Sequence, residues 1–416
     1  MAKSTLSRCG FCNRARNEVK NLVSGSDDGP FICDRCIRDS AKALEVQALA
    51  DKAQGEAPLK KPKEIKALLD EHVIAQDRAK IDMAVAVYQH YKRRDATKSG
   101  LVPEGIEPQK SNILLMGPSG TGKTELARTV AKMLNVPFYV GDATRLTQAG
   151  YVGDDVETIL QGLVQAADGD VERAQWGIIF LDEIDKLARK SGRGATGYRD
   201  VTGEGVQQAL LKLLEGSNVV VPQGMGRQVF ANSPSTSINT SNILFIGAGS
   251  FAGIEEVIEK RVNKSSSIGF GAVDRKKLSL TDVYSQVTEE DVLEFGMIPE
   301  LMGRLPIITT VLELTEEEMV RILTEPKNAL VRQFQALYQM DGINLQFDED
   351  ALKAIGREAK RRPTGARALR SIIEESLRQY SFDLPSDPSV TSIRVTEDTV
   401  TKKGSAVIVR KQVAAG

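Results

Sequence analysis

Ile113-Leu-Leu-Met-Gly-Pro-Ser-Gly-Thr-Gly-Lys-Thr124 is the stretch on which the fold turns. Its first four residues are an apolar run of the kind a strand buried on both faces needs, and Glu125–Leu134 beyond it reads as a helix. Between them, Gly117-Pro-Ser-Gly-Thr-Gly-Lys-Thr124 matches G-x-x-x-x-G-K-[ST], after a strand and at the start of a helix, where that pattern has chemical meaning. Glycines let the backbone close around a β-phosphate, and the helix N-terminus adds its positive end. Gly117, Pro118, Ser119, Gly120, Thr121, Gly122, Lys123, Thr124 and Glu125 are therefore the candidate ATP-binding residues. Lys123 would reach the β- and γ-phosphates, and Thr124 would hold Mg2+.

Working outward, a second apolar run ends in acid about 60 residues later: Ile178-Ile-Phe-Leu-Asp-Glu183. Asp182 would serve Mg2+, and Glu183 would polarise an attacking water. Adjacent acids at a strand end also occur as ordinary caps; their place after the phosphate loop is what gives this pair its meaning. Ile243-Leu-Phe-Ile246 is a third buried run. Strands alternating with helices over residues 64–313 predict a parallel sheet with helices on both faces. From 314 onward the pattern is mainly helical, as in Glu316–Tyr338 and Asp348–Arg361, and ends in two strands near Ser392–Val395 and Ala406–Val409. The fold class is α/β: a P-loop parallel-sheet domain followed by a small α-rich lid domain with a terminal hairpin.

Cys9, Cys12, Cys33 and Cys36 are the chain's only cysteines, spaced C-x2-C, twenty residues, C-x2-C. Each pair fits a knuckle that points two thiolates at one Zn2+, and two knuckles complete a closed, structural tetrahedron. Paired disulfides are the alternative, and they fit poorly with a reducing cytosol. So short a segment cannot build a core alone, and the metal would supply much of its folding energy. After it, Gln54-Gly-Glu-Ala-Pro-Leu-Lys-Lys-Pro-Lys63 reads as a flexible linker. The expected domains are a zinc module at 1–50, a linker at 51–63, a large ATPase domain at 64–313 and a small domain at 314–416.

Lys and Arg number 55 against 56 Asp and Glu, a formal net charge of −1. That removes the strongest argument for a nucleic-acid binder, because no global basic excess exists to neutralise phosphates. Local basic runs such as Arg275-Lys-Lys277 read as solvated surface. No run approaches the ~18 consecutive apolar residues of a membrane span, and the N-terminal residues lack the apolar stretch of a signal peptide. A cytoplasmic protein without membrane contact is expected.

Arg304, in Pro299-Glu-Leu-Met-Gly-Arg-Leu-Pro306, and Arg367, in Gly365-Ala-Arg367, could each carry charge to a γ-phosphate. From pattern alone, each reads more simply as a surface ion pair. With Leu181-Asp-Glu-Ile-Asp-Lys186, Gly150-Tyr-Val-Gly153, Gly203-Glu-Gly-Val-Gln-Gln-Ala-Leu-Leu-Lys212 and Ile268-Gly-Phe270 added in this order, the chain resembles the ClpX family of ring-forming AAA+ unfoldases over essentially its whole length.

The resemblance implies an AAA+ fold with a treble-clef-like zinc module, and a homohexamer that hydrolyses ATP to unfold protein substrates and thread them into the ClpP peptidase. It makes Glu183, Asp182, Lys123, Arg304 and Arg367 the catalytic set, with Arg304 as an arginine finger on a neighbour's nucleotide and Arg367 as the small domain's sensor. It places Val73 and Ile74 against adenine. Tyr151 and Val152 resemble the pore loop that grips substrate, Arg199 falls near a second axial loop, and Ile268, Gly269 and Phe270 resemble the loop that docks on ClpP. Adaptor proteins are expected at the zinc module. Two departures stand out. The pore-entrance stretch reads Gly224-Met-Gly-Arg-Gln228, keeping Arg227 but not the basic residue and histidine usual after it, which implies weaker attraction for acidic tags. Ala75 stands where the family usually has glycine. The competing reading is an AAA+ DNA-remodelling ATPase whose zinc knuckles grip nucleic acid; the near-neutral charge and aromatic pore loop argue against it.

Overall fold

The computed structural model describes residues 8–24, 30–41, 59–98, 106, 108–147, 154–189, 203–222, 235–266 and 280–411. The chain divides into two compact units, Met1–Leu59 and Lys60–Gly416.

In the first unit, β1 (Leu22–Ser24) and β2 (Phe31–Cys33) form an antiparallel hairpin, and residues 34–41 are helical. A knuckle precedes the hairpin. Its Cys9 N–H donates to Arg14 O, its Asn13 N–H returns to Cys9 O, and Asn13 takes the left-handed turn at φ 59°. Knuckle, hairpin and helix in this order give the treble-clef-like arrangement.

The second unit opens with α1 (Pro62–Asp70), whose start is set by Pro62 in the first turn and by Glu64 reaching back to the Lys61 N–H at 2.7 Å. Residues 62–63 of the expected linker are thus helical; 51–58 lie outside the described residues. The long α2 (Asp77–Lys98) follows.

The central sheet uses β3 (Ile113–Met116), β4 (Phe138–Asp142), β5 (Ile178–Asp182), β8 (Leu244–Gly249) and β9 (Ile307–Thr310) in spatial order β9-β3-β8-β5-β4, all parallel. The three inner strands bury nearly every side chain, as parallel strands covered on both faces do. Leu114, Met116, Ile179 and Leu181 face a core shared with helix Thr158–Ala166 and with α4 (Glu204–Glu215). Ile113, Leu115, Ile178 and Phe180 alternate to the other face and are equally buried. Between α4 and β8, β6 (Asn218–Pro222) and β7 (Ser235–Asn239) pair antiparallel. Between β3 and β4, α3 (Lys123–Leu134) ends on Asn135 in the left-handed conformation.

A second core forms beyond residue 313. The helix expected over Glu316–Tyr338 is two helices, α5 (Glu316–Thr324) and α6 (Leu330–Met340). Pro326 supplies the break, having no N–H to continue the ladder. Next come β10 (Asn344–Phe347), α7 (Glu349–Arg361), α8 (Ala368–Asp383), β11 (Val390–Val395) and β12 (Val407–Arg410). The expected terminal hairpin is β11 with β12, but β10 adds to it in parallel, so the sheet has three strands. Among the described residues, no helix is long and apolar enough to cross a membrane.

Candidate functional site: a nucleotide cleft and a four-cysteine cluster

Ligands in open parallel sheets sit beyond the strands' C-terminal ends, where strand order reverses. Here the reversal falls at β3, flanked by β9 and β8 rather than by β4. The chain leaves β3 through Gly117, at φ 140°, whose N–H donates to Gly249 O at the end of β8. A methyl at Gly117 would land on the Val311 carbonyl just past β9. Gly120, at φ 76°, is held as tightly: a methyl there would meet the carbonyl of Thr364 in the small domain. Both glycines are required by left-handed geometry and by close backbone approach.

Gly122, also left-handed, caps α3, so the helix's free N–H groups face the loop. Lys123 is buried at the first helical position, its Nζ donating to Gly117 O at 2.6 Å and Pro118 O at 2.8 Å. Burial lowers its pKa from 10.5 to about 8; the nearby Asp182 and Asp185 charges oppose the shift, and Arg367 adds to it. The lysine is therefore an under-solvated cation curled into an anion-shaped loop. Thr124 is half-buried and Glu125 exposed in the same turn.

Asp182 ends β5, beside Asp142 of β4 in register, and its Oδ1 accepts the Glu183 N–H at 3.0 Å. Glu183 is exposed and sits at φ 56°, a left-handed conformation that only Gly adopts cheaply. It turns the chain into the short helix Ile184–Leu187. Two further residues belong here that sequence reasoning gave no role. Asp185 is buried and accepts from the Ser250 N–H at 3.3 Å and Oγ at 3.1 Å, tying the acidic turn to the residue just after β8. The signal for Ser250 was available: it is polar and directly follows an inner buried strand.

The small domain closes the cleft. Arg367 Nη1 donates to Ser119 Oγ at 3.3 Å. Val73 and Ile74 are buried, and Val73 lies against Gly122. A cavity of about 260 Å3 opens between the phosphate loop and the small domain, lined by Ser119, Gly120, Thr121, Leu314, Met319 and Gly365 among others. Arg304 is not in this cleft's wall. It forms a half-exposed ion pair with Glu215 at 2.8 Å, and its carbonyl accepts from Asn112, which stands at the entry to β3 rather than at its phosphate-loop end.

Tyr151, Val152, Arg199, Arg227, Ile268, Gly269 and Phe270 lie outside the described residues. Their flanks are described. Leu146–Thr147 pairs with Asp154–Asp155 on either side of Tyr151 and Val152, β6 and β7 bracket Arg227, and helix Ile254–Ser266 precedes Ile268.

In the first unit, the Sγ atoms of Cys9, Cys12, Cys33 and Cys36 all lie within 4.8 Å of one another, and none is in a disulfide. Cys12 and Cys33 sulfurs are 3.7 Å apart, close to the ~3.8 Å edge of a tetrahedron with ~2.3 Å Zn–S bonds. The Cys12 backbone N–H, helped by those of Cys33 and Phe11, holds the Cys9 thiol down at about 6. Burial and the neighbouring sulfurs push Cys36 up to about 12. Four sulfurs converging at tetrahedral spacing make an all-sulfur donor set that fits Zn2+.

Three family models match the chain: "ClpX C4-type zinc finger" over residues 7–45, "AAA domain (Cdc48 subfamily)" over 108–308, and "C-terminal, D2-small domain, of ClpB protein" over 314–395. The chain is 46% identical over 381 residues to a protein of Treponema denticola named ATP-dependent Clp protease ATP-binding subunit ClpX, covering 91% of this chain and 90% of that one. It is 46% identical over 421 positions to ClpX 3 of Methylococcus capsulatus, covering 98% and 95%. The chain belongs to the ClpX family. A third ClpX, from Azotobacter vinelandii, is 44% identical over 396 residues, covering 94% and 89%. Membership makes the chain an AAA+ ATPase, the ATP-binding subunit of a Clp-type protease, with a zinc-binding four-cysteine finger. Against the usual ClpX pattern, Ala75 takes φ 55°, the conformation that glycine would adopt without strain.

Proposed function

We propose that this chain is an ATP-driven protein unfoldase and translocase, working in the cytoplasm as a homohexamer that feeds substrates, some brought by adaptors at the zinc unit, into ClpP. The observation that carries this reading is the convergence of Lys123, the Asp182–Glu183 turn and Arg367 on one cleft between two domains of a ClpX-family chain. The domain boundaries follow the same reading: zinc module 1–50, linker 51–63, large domain 64–313, small domain 314–416.

Val73 and Ile74 pack on the base of ATP. The loop Gly117–Lys123 and the α3 N-terminus hold the phosphates, and Thr124 and Asp182 are the residues that would hold Mg2+. The ion, when bound, draws charge from the β- and γ-phosphates. Glu183 orients and deprotonates the attacking water, Lys123 and Arg367 stabilise charge on the γ-phosphate, and water's oxygen displaces ADP. Arg304, paired with Glu215 near the entry end of β3, serves a neighbour's nucleotide in this reading, which its distance from the phosphate loop supports. Tyr151 and Val152 grip the threaded chain by van der Waals contact, Arg199 and Arg227 line the path, and Ile268–Phe270 dock on ClpP. Several weak docking contacts per ring add by avidity.

The test is which polymer accelerates ATP turnover by the purified full-length protein. An unfolded polypeptide is expected to stimulate the rate severalfold, and duplex DNA to leave it unchanged. Stimulation by DNA alone would transfer the reading to a nucleic-acid remodeller.

A further inference from the structure

The segment that packs on adenine also holds the joint between the two domains. The chain passes from one core to the other within three residues: Leu312 packs on the large-domain core, and Leu314 belongs to the small-domain core. Gln76, buried and 236 residues away in sequence, pairs with Leu312 through both ends of its amide. Its Nε2 donates to Leu312 O at 2.8 Å, and its Oε1 accepts from Leu312 N–H at 2.8 Å. The same Nε2 lies 3.4 Å from the Thr121 carbonyl of the phosphate loop. Ala75 packs its methyl on the small-domain core. Glu71 adds a third tie: its carbonyl accepts from Lys327 N–H at 2.9 Å and its carboxylate pairs with Lys327 Nζ, both in the connection between α5 and α6.

Ala75 and Gln76 hold φ of 55° and 61° in succession. Two adjacent non-glycine residues in the left-handed region persist only where the surroundings over-determine them. Here the turn leaves Val73 beside Gly122 of the phosphate loop while the next two residues straddle the joint. A peptide-like pairing between a side-chain amide and one residue's N–H and C=O fixes that residue in orientation as well as in distance.

We propose that Gln76 is a positioning residue for ATP: with Ala75 it clamps the interdomain joint so that the base-packing residues and the small domain's Arg367 face the same nucleotide. The proposal rests on the nucleotide reading of the cleft. Without the clamp, the domains sample other orientations and only a fraction of molecules is competent to bind; apparent affinity falls by that fraction, while saturating ATP pulls the joint back. A damaged fold behaves differently, lowering the amount of active enzyme without changing KM.

The experiment is steady-state ATP hydrolysis by the full-length protein across a range of ATP concentrations, for the unaltered chain, Gln76→Ala and Gln76→Glu. Glutamate keeps the volume and the acceptor for Leu312 N–H but, as a carboxylate, cannot donate to Leu312 O, so it remains informative if alanine prevents folding. KM for ATP is expected to rise about tenfold in either variant with kcat within about twofold. An unchanged KM in both, or a loss confined to kcat, would overturn the clamp. Absence of ATP turnover by the unaltered protein would instead overturn the nucleotide reading beneath it.

Discussion

Lys123 is where burial and function meet most directly. It carries its charge into a loop of carbonyls, and that desolvation holds its pKa at about 8. Phosphate oxygens would restore the missing counter-charge and raise it again. The sign follows: below about 8 the lysine is already charged and nucleotide affinity is full, whereas above it a proton must be taken up on binding. Affinity for ADP is therefore expected to weaken toward tenfold per pH unit above pH 8. Calorimetry in buffers of different ionisation enthalpy should show the proton uptake, and a flat affinity from pH 7 to 9.5 would contradict this account of Lys123. The position of this residue in the phosphate loop was legible because its motif is local. The contacts of Asp185 and Gln76 were not, since their partners, Ser250 and Leu312, lie 65 and 236 residues away and nothing local announces them.

At the scale of elements, the buried runs that open β3, β5 and β8 could be read directly, because a doubly covered strand has no polar side to confuse with a loop. Strand β10 was missed. Four residues with burial alternating along them, between two strongly helical stretches, carry too few periods to be seen. The break at Pro326 was visible in the sequence but outweighed by helical periodicity on both sides. The zinc unit makes the clearest prediction here. Its two strands have three residues each, and few of its apolar side chains are buried. Its order must therefore come largely from the metal. Chelating zinc from the full-length protein is expected to abolish amide-exchange protection over residues 8–24 and 30–41, and zinc addition to restore it. Undiminished protection in the metal-free protein would show that the hairpin and helix fold without the four-sulfur site.

Taken as a whole, the molecule is a nucleotide cleft whose second wall is a separate core. The phosphate loop touches the turn at Thr364 so closely that Gly120 leaves no room for a methyl, and Gln76 spans the joint beneath. On the proposed reading, cleavage of ATP would remove the γ-phosphate shared by Lys123 and Arg367, and the altered cleft would shift the angle between domains against the hold of Gln76. Arg304 pairs with Glu215 and its carbonyl accepts from Asn112 at the opposite end of β3, away from this cleft; on the proposed reading it would serve another copy's nucleotide. A ring of such joints would turn local chemistry into axial movement of the segment bearing Tyr151 and Val152. Because unfolding a typical domain opposes this work by ~5–15 kcal/mol, repeated turnovers are needed. The most direct measurement is the native fluorescence of a folded, tagged fluorescent protein mixed with this chain, ClpP and ATP. Fluorescence should decay with the unaltered chain and persist with Glu183→Gln, which is expected to bind ATP without activating water. Persistence with the unaltered chain while ATP is being consumed, or decay at the normal rate with Glu183→Gln, would contradict the claim that ATP cleavage in this cleft drives unfolding.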